Sequence, residues 1–429
     1  MLRRLFPDVY EGWLVVSASA FIITMIGASF FYGFGTIFNP VVDEFGWSVA
    51  ATSFAFSLRQ ETSGLAAPLI GYTIDRIGPT KVLLAGIVTM CVGVLLMSYM
   101  QSLWQFYASM VIIALGTSSA GGQVGLVATA SWFERRRATA MSVMTLGGGL
   151  AGLFVVFIAM LVEALGWRGA LRAMATLMLI VGVVAGLNVR SRPAGHHQPL
   201  DGVQRTRSGE ARDDDDDLGE SNQWGVPVRR AVMSRSFFWL SIALMANGFA
   251  TTALIIHQIP FLETTLDVSK SAAAGTVAVF TTTSIIGRLG MGYLADHHDK
   301  RLILAASMAM SVAAIPLLAI VDSLWQAIAV LMIIAPGFGG TIPVRPAMMA
   351  DYFGTRHFGM LNGISSLVMT FGAFLGPLVI GFIVDETGAY TWGWLVAGAI
   401  GAIAIPATLA ATEPRALIEE YRGQPQSSP

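Results

Sequence analysis

Apolar residues in this chain neither alternate as in a half-buried strand nor keep to one face of a helix; they come in runs of about 20, separated by short polar clusters. A run of that length crosses a hydrocarbon core of about 30 Å as a helix. In lipid every backbone amide must find its partner within the protein, so helical spans are the expected solution. Twelve spans are read, at 13–38, 48–73, 81–99, 104–130, 138–161, 168–189, 237–262, 271–295, 302–320, 325–350, 357–384 and 390–411. The expected class is an all-α integral membrane protein.

The spans fall into two sets of six, and the sets share features at one offset. SLWQ at 102–105 recurs at 323–326, 221 residues later. GYTIDRIGPTK from Gly71 matches GYLADHHDKR from Gly292 at the same offset, and Ser48 and Ser269, each opening the second span of its half, are also 221 apart. WFERRRATAM from Trp132 aligns with YFGTRHFGML from Tyr352 at 220. Four features in one register indicate duplication. The chain therefore divides into an N-terminal six-helix bundle (1–189), a polar linker (190–236), a C-terminal six-helix bundle (237–411) and a tail (412–429).

Composition agrees: 54% of residues are hydrophobic and 12% charged, about half the charge of an ordinary soluble domain, and mean hydropathy is +0.65. Of 26 Lys and Arg, 20 fall in the termini and in the loops of one side, three (Arg168, Arg172 and Lys270) on the other, and three inside spans. Positive charge stays cytoplasmic, so both termini are expected in the cytoplasm, with the protein in the cell (inner) membrane. The first apolar stretch is too long for a signal core and lacks a clear cleavage site. Cys91 is the only cysteine, which excludes an intrachain disulfide. The five aspartates of RSGEARDDDDDLGE repel one another and are read as a solvated linker face rather than a metal site, and His196 and His197 beside them in the same way. No cofactor, metal, nucleotide or nucleic-acid partner is expected; no GxxxxGK[ST] motif is present.

Two six-span halves with GYTIDRIGPTK between spans 2 and 3 resemble the major facilitator superfamily. Gly71, Asp75, Arg76, Gly78 and Lys81 fit its loop motif; Gly292, Asp296, Lys300 and Arg301 fit the second copy, where His297 and Asp299 depart from it. The resemblance implies two pseudo-symmetric bundles, and Gly71, Asp75, Arg76, Gly292 and Asp296 as a cytoplasmic gate. An aspartate at a helix end with basic neighbours is suited to bind a facing helix in one conformer and release it in another. More narrowly, Glu11-Gly12-Trp13 and WFERRRATAMSVMTLGGGLAG at 132–152 resemble the monocarboxylate transporter and oxalate/formate antiporter branch, with Ser142 where a glycine is usual.

Charges inside spans that occur in only one half are the better site candidates, because substrate contacts need not obey the repeat. At offset 221 Arg59 stands opposite Phe280, Glu61 opposite Thr282, Arg288 opposite Ala67 and His257 opposite Thr36. The resemblance implies that Arg288, on span 8, binds a substrate carboxylate, and a guanidinium's paired donors suit two carboxylate oxygens; the competing reading is a gate tether to Asp296. Ser284 stands one turn before it, where relatives carry a carboxylate. Arg59 and Glu61, two apart on a helix, point away from each other and each needs another partner. A charge at mid-membrane costs at least about 2.5–3.5 kcal/mol on insertion scales. Arg59, with Tyr32 and Asn247, is a candidate substrate contact. Glu61 is a candidate proton carrier, since a carboxyl group away from water takes up a proton more readily. His257 is either a second one or a hydrogen-bonded packing residue. Arg345 either snorkels or joins the gate. The expected function is secondary transport by alternating access, moving a small monocarboxylate or related organic anion with a proton. The alternatives are efflux of an amphipathic or neutral compound and, outside transport, a membrane sensor. No constellation of catalytic residues suggests an enzyme.

Overall fold

The computed structural model describes residues 9–192, 200–202 and 224–422. Arg3, Arg4, the two linker histidines and the aspartate run lie outside them. The described chain contains twelve membrane helices and no strand, with one isolated bridge between Gly225 and Gly354. Helix α1 begins as Glu11–Ile26, passes through a π-helical turn Gly27–Tyr32 and continues as Phe34–Phe45. Then come α2 (Val49–Ile77), α3 (Pro79–Ser98) and α4, made of Leu103–Ala120 and Gly122–Trp132. Helix α5 (Arg137–Leu150) runs through a 3-10 turn, Ala151–Phe154, into Val155–Gly186, where Gly166 at φ 67° separates its end from α6. In the second half, α7 is Arg235–Thr265, α8 Lys270–His297 and α9 Lys300–Val312 with the 3-10 segment Ile315–Ile320. Helix α10 is Leu324–Phe353, α11 Phe358–Thr387, and α12 Tyr390–Ala402 with Ala404–Ala410.

Ten described helices are long and apolar enough to cross a membrane. The other two are α2, which is 29 residues long but carries Arg59, Glu61, Asp75 and Arg76, and α5, interrupted at its 3-10 turn. Large apolar side chains such as Leu65, Phe157, Ile180, Trp325 and Phe382 stand exposed, as lipid-facing positions must.

Contacts divide the chain into two compact units, one of residues up to Gly225 plus Gly354–Gly363, the other of Val226–Phe353 plus Ile364 onward. The first six residues of α11 thus belong with the first unit. Within each unit small residues let helices touch backbone to backbone. A methyl group added to Gly147 of α5 would stand 2.1 Å from the Ala20 carbonyl oxygen of α1, and one on Gly372 of α11 2.0 Å from the Met245 carbonyl of α7. These are the equivalent helix pairs of the two halves.

The repeated short motifs are helix starts. Ser48 and Ser269 accept the amides of Ala51 and Ala272 at 3.1 and 3.4 Å. In the two SLWQ copies, Gln105 accepts the Gln101 amide at 2.7 Å and Gln326 the Asp322 amide at 2.8 Å. Each is a side chain reaching back over the first turn, a variant of the capping box.

Gly147→Ala is expected to lower the unfolding free energy in SDS titration by about 1–3 kcal/mol, while Gly152→Ala, whose added methyl meets nothing within 4 Å, serves as control. Equal stability of the two variants would refute the close α1–α5 contact.

Candidate functional site

At the arginine-rich end of the first unit, α2 and the start of α11 approach so closely that only glycine fits. A methyl group on Gly71 would lie 2.1 Å from the Gly359 carbonyl oxygen, and one on Gly363 2.4 Å from that of Ala67. One turn beyond Gly71, the half-buried Asp75 turns its carboxylate onto the first turn of α11. Oδ1 accepts the Gly359 amide and Oδ2 the Met360 amide, both at 2.8 Å. Those amides have no partner within their own helix, and a carboxylate there also meets the positive end of the helix dipole. Gln123 of α4 ties the contact together, its Nε2 donating to the carbonyls of Ala67 (3.2 Å) and Gly359 (2.9 Å). Sequence reasoning missed Gln123, which belongs to no motif. Arg76 is exposed and donates to the Tyr72 hydroxyl at 2.9 Å.

The two segments that resemble the monocarboxylate branch meet in space. Trp13 packs edge-on to Phe133 at 5.0 Å between ring centres, and Tyr10 edge-on to Trp132 and Phe133. Buried Glu11 accepts from Arg190 at 2.6 Å. Arg137, in the same segment, is buried: its guanidinium donates to the carbonyls of Phe133 (2.9 Å) and Ala130 (3.5 Å) and closes the end of α4.

In the second copy of the loop motif, Gly292 is buried and Asp296 half-buried on the last turns of α8. His297 bonds the Tyr293 carbonyl instead of a neighbouring helix. Asp299 caps α9 by accepting the Arg301 amide at 2.8 Å, and Lys300 pairs with Asp351 at 2.8 Å. Asp299, Lys300, Arg301 and Asp351 line a polar cleft of about 500 Å³ with Arg415 and Glu413.

Arg59 lies on α2, is 5% exposed, and stacks its guanidinium over Phe56 at 4.9 Å. It donates to the Gln60 side chain at 2.7 Å, while its Nε is buried without a partner. Among the described residues no carboxylate reaches it; Glu61, two residues on, is half-buried. Phe56 continues into a stack with Phe34, which stacks in turn on Phe106. Tyr32 belongs to the π-turn of α1, and its side chain lies outside the described residues.

In the second unit Arg288 is 8% exposed on α8, where Gly339 of α10 comes against the backbone of Ser284 and Arg288. Arg345 is half-buried on α10 with a nitrogen 3.7 Å from the Met369 sulfur. Asn247 is buried between α7 and α9 and accepts from Ser311 at 3.0 Å. His257 has both ring nitrogens engaged: Nε2 is 3.0 Å from the Pro377 carbonyl and Nδ1 3.4 Å from the Tyr390 hydroxyl. A carbonyl only accepts, so Nε2 carries a proton and donates it to Pro377. The described residues contain no group of three His, Cys, Asp or Glu placed to hold a metal ion.

The sequence model of the Major Facilitator Superfamily matches residues 20–275 and 240–426. The chain belongs to that superfamily. It is a membrane transporter, not an enzyme. Among its relatives, monocarboxylate transporter 13 of Rattus norvegicus is 24% identical over 403 residues, covering 92% of this chain and 87% of the relative. Monocarboxylate transporter 11 of Homo sapiens is 25% identical over 411 residues, covering 92% and 81%. An MFS-type transporter of Gibberella moniliformis is 25% identical over 402 residues, covering 90% and 86%. Among solved structures, the fucose:proton symporter of E. coli superposes with a TM-score of 0.67 at 12% identity, covering 93% of this chain and 98% of that one. A bacterial homologue of the iron transporter ferroportin superposes at 0.68 and 14%, covering 94% and 99%. These likenesses establish the twelve-helix fold.

Asp75→Asn keeps the size of the side chain but turns an N–H donor toward one of the two amides. The loss of a charged acceptor is expected to cost about 2 kcal/mol and to lower the thermal unfolding midpoint in detergent. A midpoint equal to wild type would mean that the carboxylate does not cap α11.

Proposed function

We propose that this transporter works by alternating access and moves a small monocarboxylate or related organic anion together with a proton. The observation that carries the proposal is Arg59. A guanidinium withdrawn from water costs several kcal/mol unless an anion accompanies it, and no described carboxylate does so. A transported anion would supply the missing charge, with the two parallel donors of a guanidinium matched to a carboxylate. Arg288, buried on the second unit, is the second proposed anchor, and Glu61 the proposed proton carrier. The names of the relatives, monocarboxylate transporters 11, 12 and 13, support the same substrate class. The satisfied geometry of His257 and Asn247 favours packing roles for both. The Asp75 cap on α11 is the proposed gate contact, made in one conformer and broken in the other. Arg76, Gly292, Asp296 and Arg345 are proposed to support that gate. The arginine-rich end is proposed to face the cytoplasm, with both termini, in the cell (inner) membrane.

The test is uptake of labelled lactate, pyruvate and related small acids into proteoliposomes under an inward proton gradient. Wild type is expected to accumulate at least one acid, and Arg59→Ala and Arg288→Ala to lose more than about tenfold of the initial rate, equivalent to at least about 1.4 kcal/mol. Arg59→Lys, which keeps the charge but not the paired donors, is expected to fall between. Folded wild type that moves none of these acids would refute the substrate class and favour a neutral or amphipathic cargo.

A further inference from the structure

The linker between the halves has two ends inside the described residues, and both are docked. Leaving α6, the chain is held first by Thr80, whose hydroxyl donates to the Val189 carbonyl at 2.7 Å. The Trp132 indole then donates to the Arg190 carbonyl at 2.8 Å, and the Arg192 amide to the Ser131 hydroxyl at 3.0 Å. Asp201 follows, 7% exposed and at φ 60°, a left-handed conformation that aspartate adopts more readily than most residues. Its carboxylate takes the Arg135 amide at 2.9 Å, the Arg136 amide at 3.1 Å and the Glu134 amide at 3.3 Å. These amides lie in the loop just ahead of α5, and the carboxylate again sits at the positive end of a helix. Burial, and next the charge of Asp201, push the Tyr10 hydroxyl up to about 12, while that hydroxyl donates to the Trp132 carbonyl at 2.7 Å.

The other end of the linker does the same at the equivalent loop. The Trp224 carbonyl accepts the Thr355 amide at 3.0 Å and the Arg356 amide at 3.3 Å. Positions 355 and 356 are 135 and 136 moved by the repeat offset of 220. Gly225 pairs with Gly354, which sits at φ 77°; a methyl group on Gly354 would stand 2.2 Å from the Trp224 carbonyl oxygen. One turn further on, the Gly359 and Met360 amides are those taken by Asp75.

We propose that the linker is a two-point strap, seated on the same amides of the two repeated loops by the Asp201 carboxylate and the Trp224 carbonyl, and that its second seat holds the entry to α11 in the position where Asp75 can cap it. Thr355 and Arg356 on one side and Gly359 and Met360 on the other are two pairs of amides, separated by His357 and Phe358, on one entry to a helix. Oxygen from the strap fixes the first pair and oxygen from α2 the second, so loosening one frees the other. The strap acts on whatever cargo the transporter carries.

Amide hydrogen exchange on the full chain in nanodiscs tests this without a substrate. Asp201→Ala is expected to speed exchange at 134–136 by about tenfold or more, as the loss of charge-assisted bonds requires, and Asp201→Asn by less. Gly354→Ala is expected to speed exchange at 355–356 and, through the shared entry, at 359–360, while the interior of α3 and α4 stays protected and reports an intact fold. Unchanged exchange at 134–136 in both Asp201 variants would overturn the first seat. Faster exchange at 355–356 with 359–360 unchanged would overturn the control of the α11 entry.

Discussion

The first turn of a helix exposes amides that the helix itself cannot satisfy, and where that turn packs against another helix water is kept from them. Much of this structure answers that one shortage. Serine hydroxyls serve α2, α7 and α8 through Ser48, Ser234 and Ser269. Asp299 serves α9, and glutamine side chains reach back over the starts of α4 and α10. For α11 the oxygen comes from far along the chain, from Asp75, and Asp201 does the same for the loop that leads into α5. Local caps fix where a helix begins; distant caps fix what it begins against. Only the distant ones link the position of a helix to another part of the molecule, and they alone are suited to conformational control.

Charged caps are also reversible in a way that apolar contacts are not. A glycine-lined approach such as Gly71 on Gly359 supplies dispersion and little direction. The Asp75 carboxylate adds two directed bonds that vanish together once the helices part by an ångström or two. The combination gives a contact that is close and specific while made, and that leaves two well-hydrated groups when broken at a membrane surface.

What the sequence disclosed follows this division. Twelve spans and the duplication were legible, because runs of apolar residues and a repeated offset can be read along the chain; Ser48, Ser269 and the two SLWQ segments were legible as repeats, and the structure shows them to be caps. Asp75 was legible as a candidate because its motif is repeated and recognisable. Its partner helix was an expectation from physics, since nothing at 359–360 advertises an amide in need. Asp201 was invisible: a single aspartate in a polar linker looks like solvated charge, and only folding brings it to 134–136. The burial of Arg137 was not legible for the related reason that an arginine closing a helix end and one facing solvent are alike in sequence. The break between α5 and α6, read from the sequence as falling between 161 and 168, is made by the positive φ of Gly166.

Partners also sort the cations. Arg137 and Arg168 bond backbone carbonyls, Arg168 and Arg190 also meet glutamates, and Lys300 an aspartate. These lie near helix ends, where a partner or water is at hand and the net energy of each pair is small. Arg59 is different in kind. It lies well inside α2, stacks on a phenylalanine and shares one bond with a neutral amide. A cation over an aromatic ring recovers part of its lost hydration, on the order of 1–2 kcal/mol, and a neutral acceptor somewhat less. Neither supplies a counter-charge. A chain that closes so many helix ends with well-placed oxygens brings no described carboxylate to this guanidinium in the middle of a span, and the anionic cargo proposed above is what would balance it.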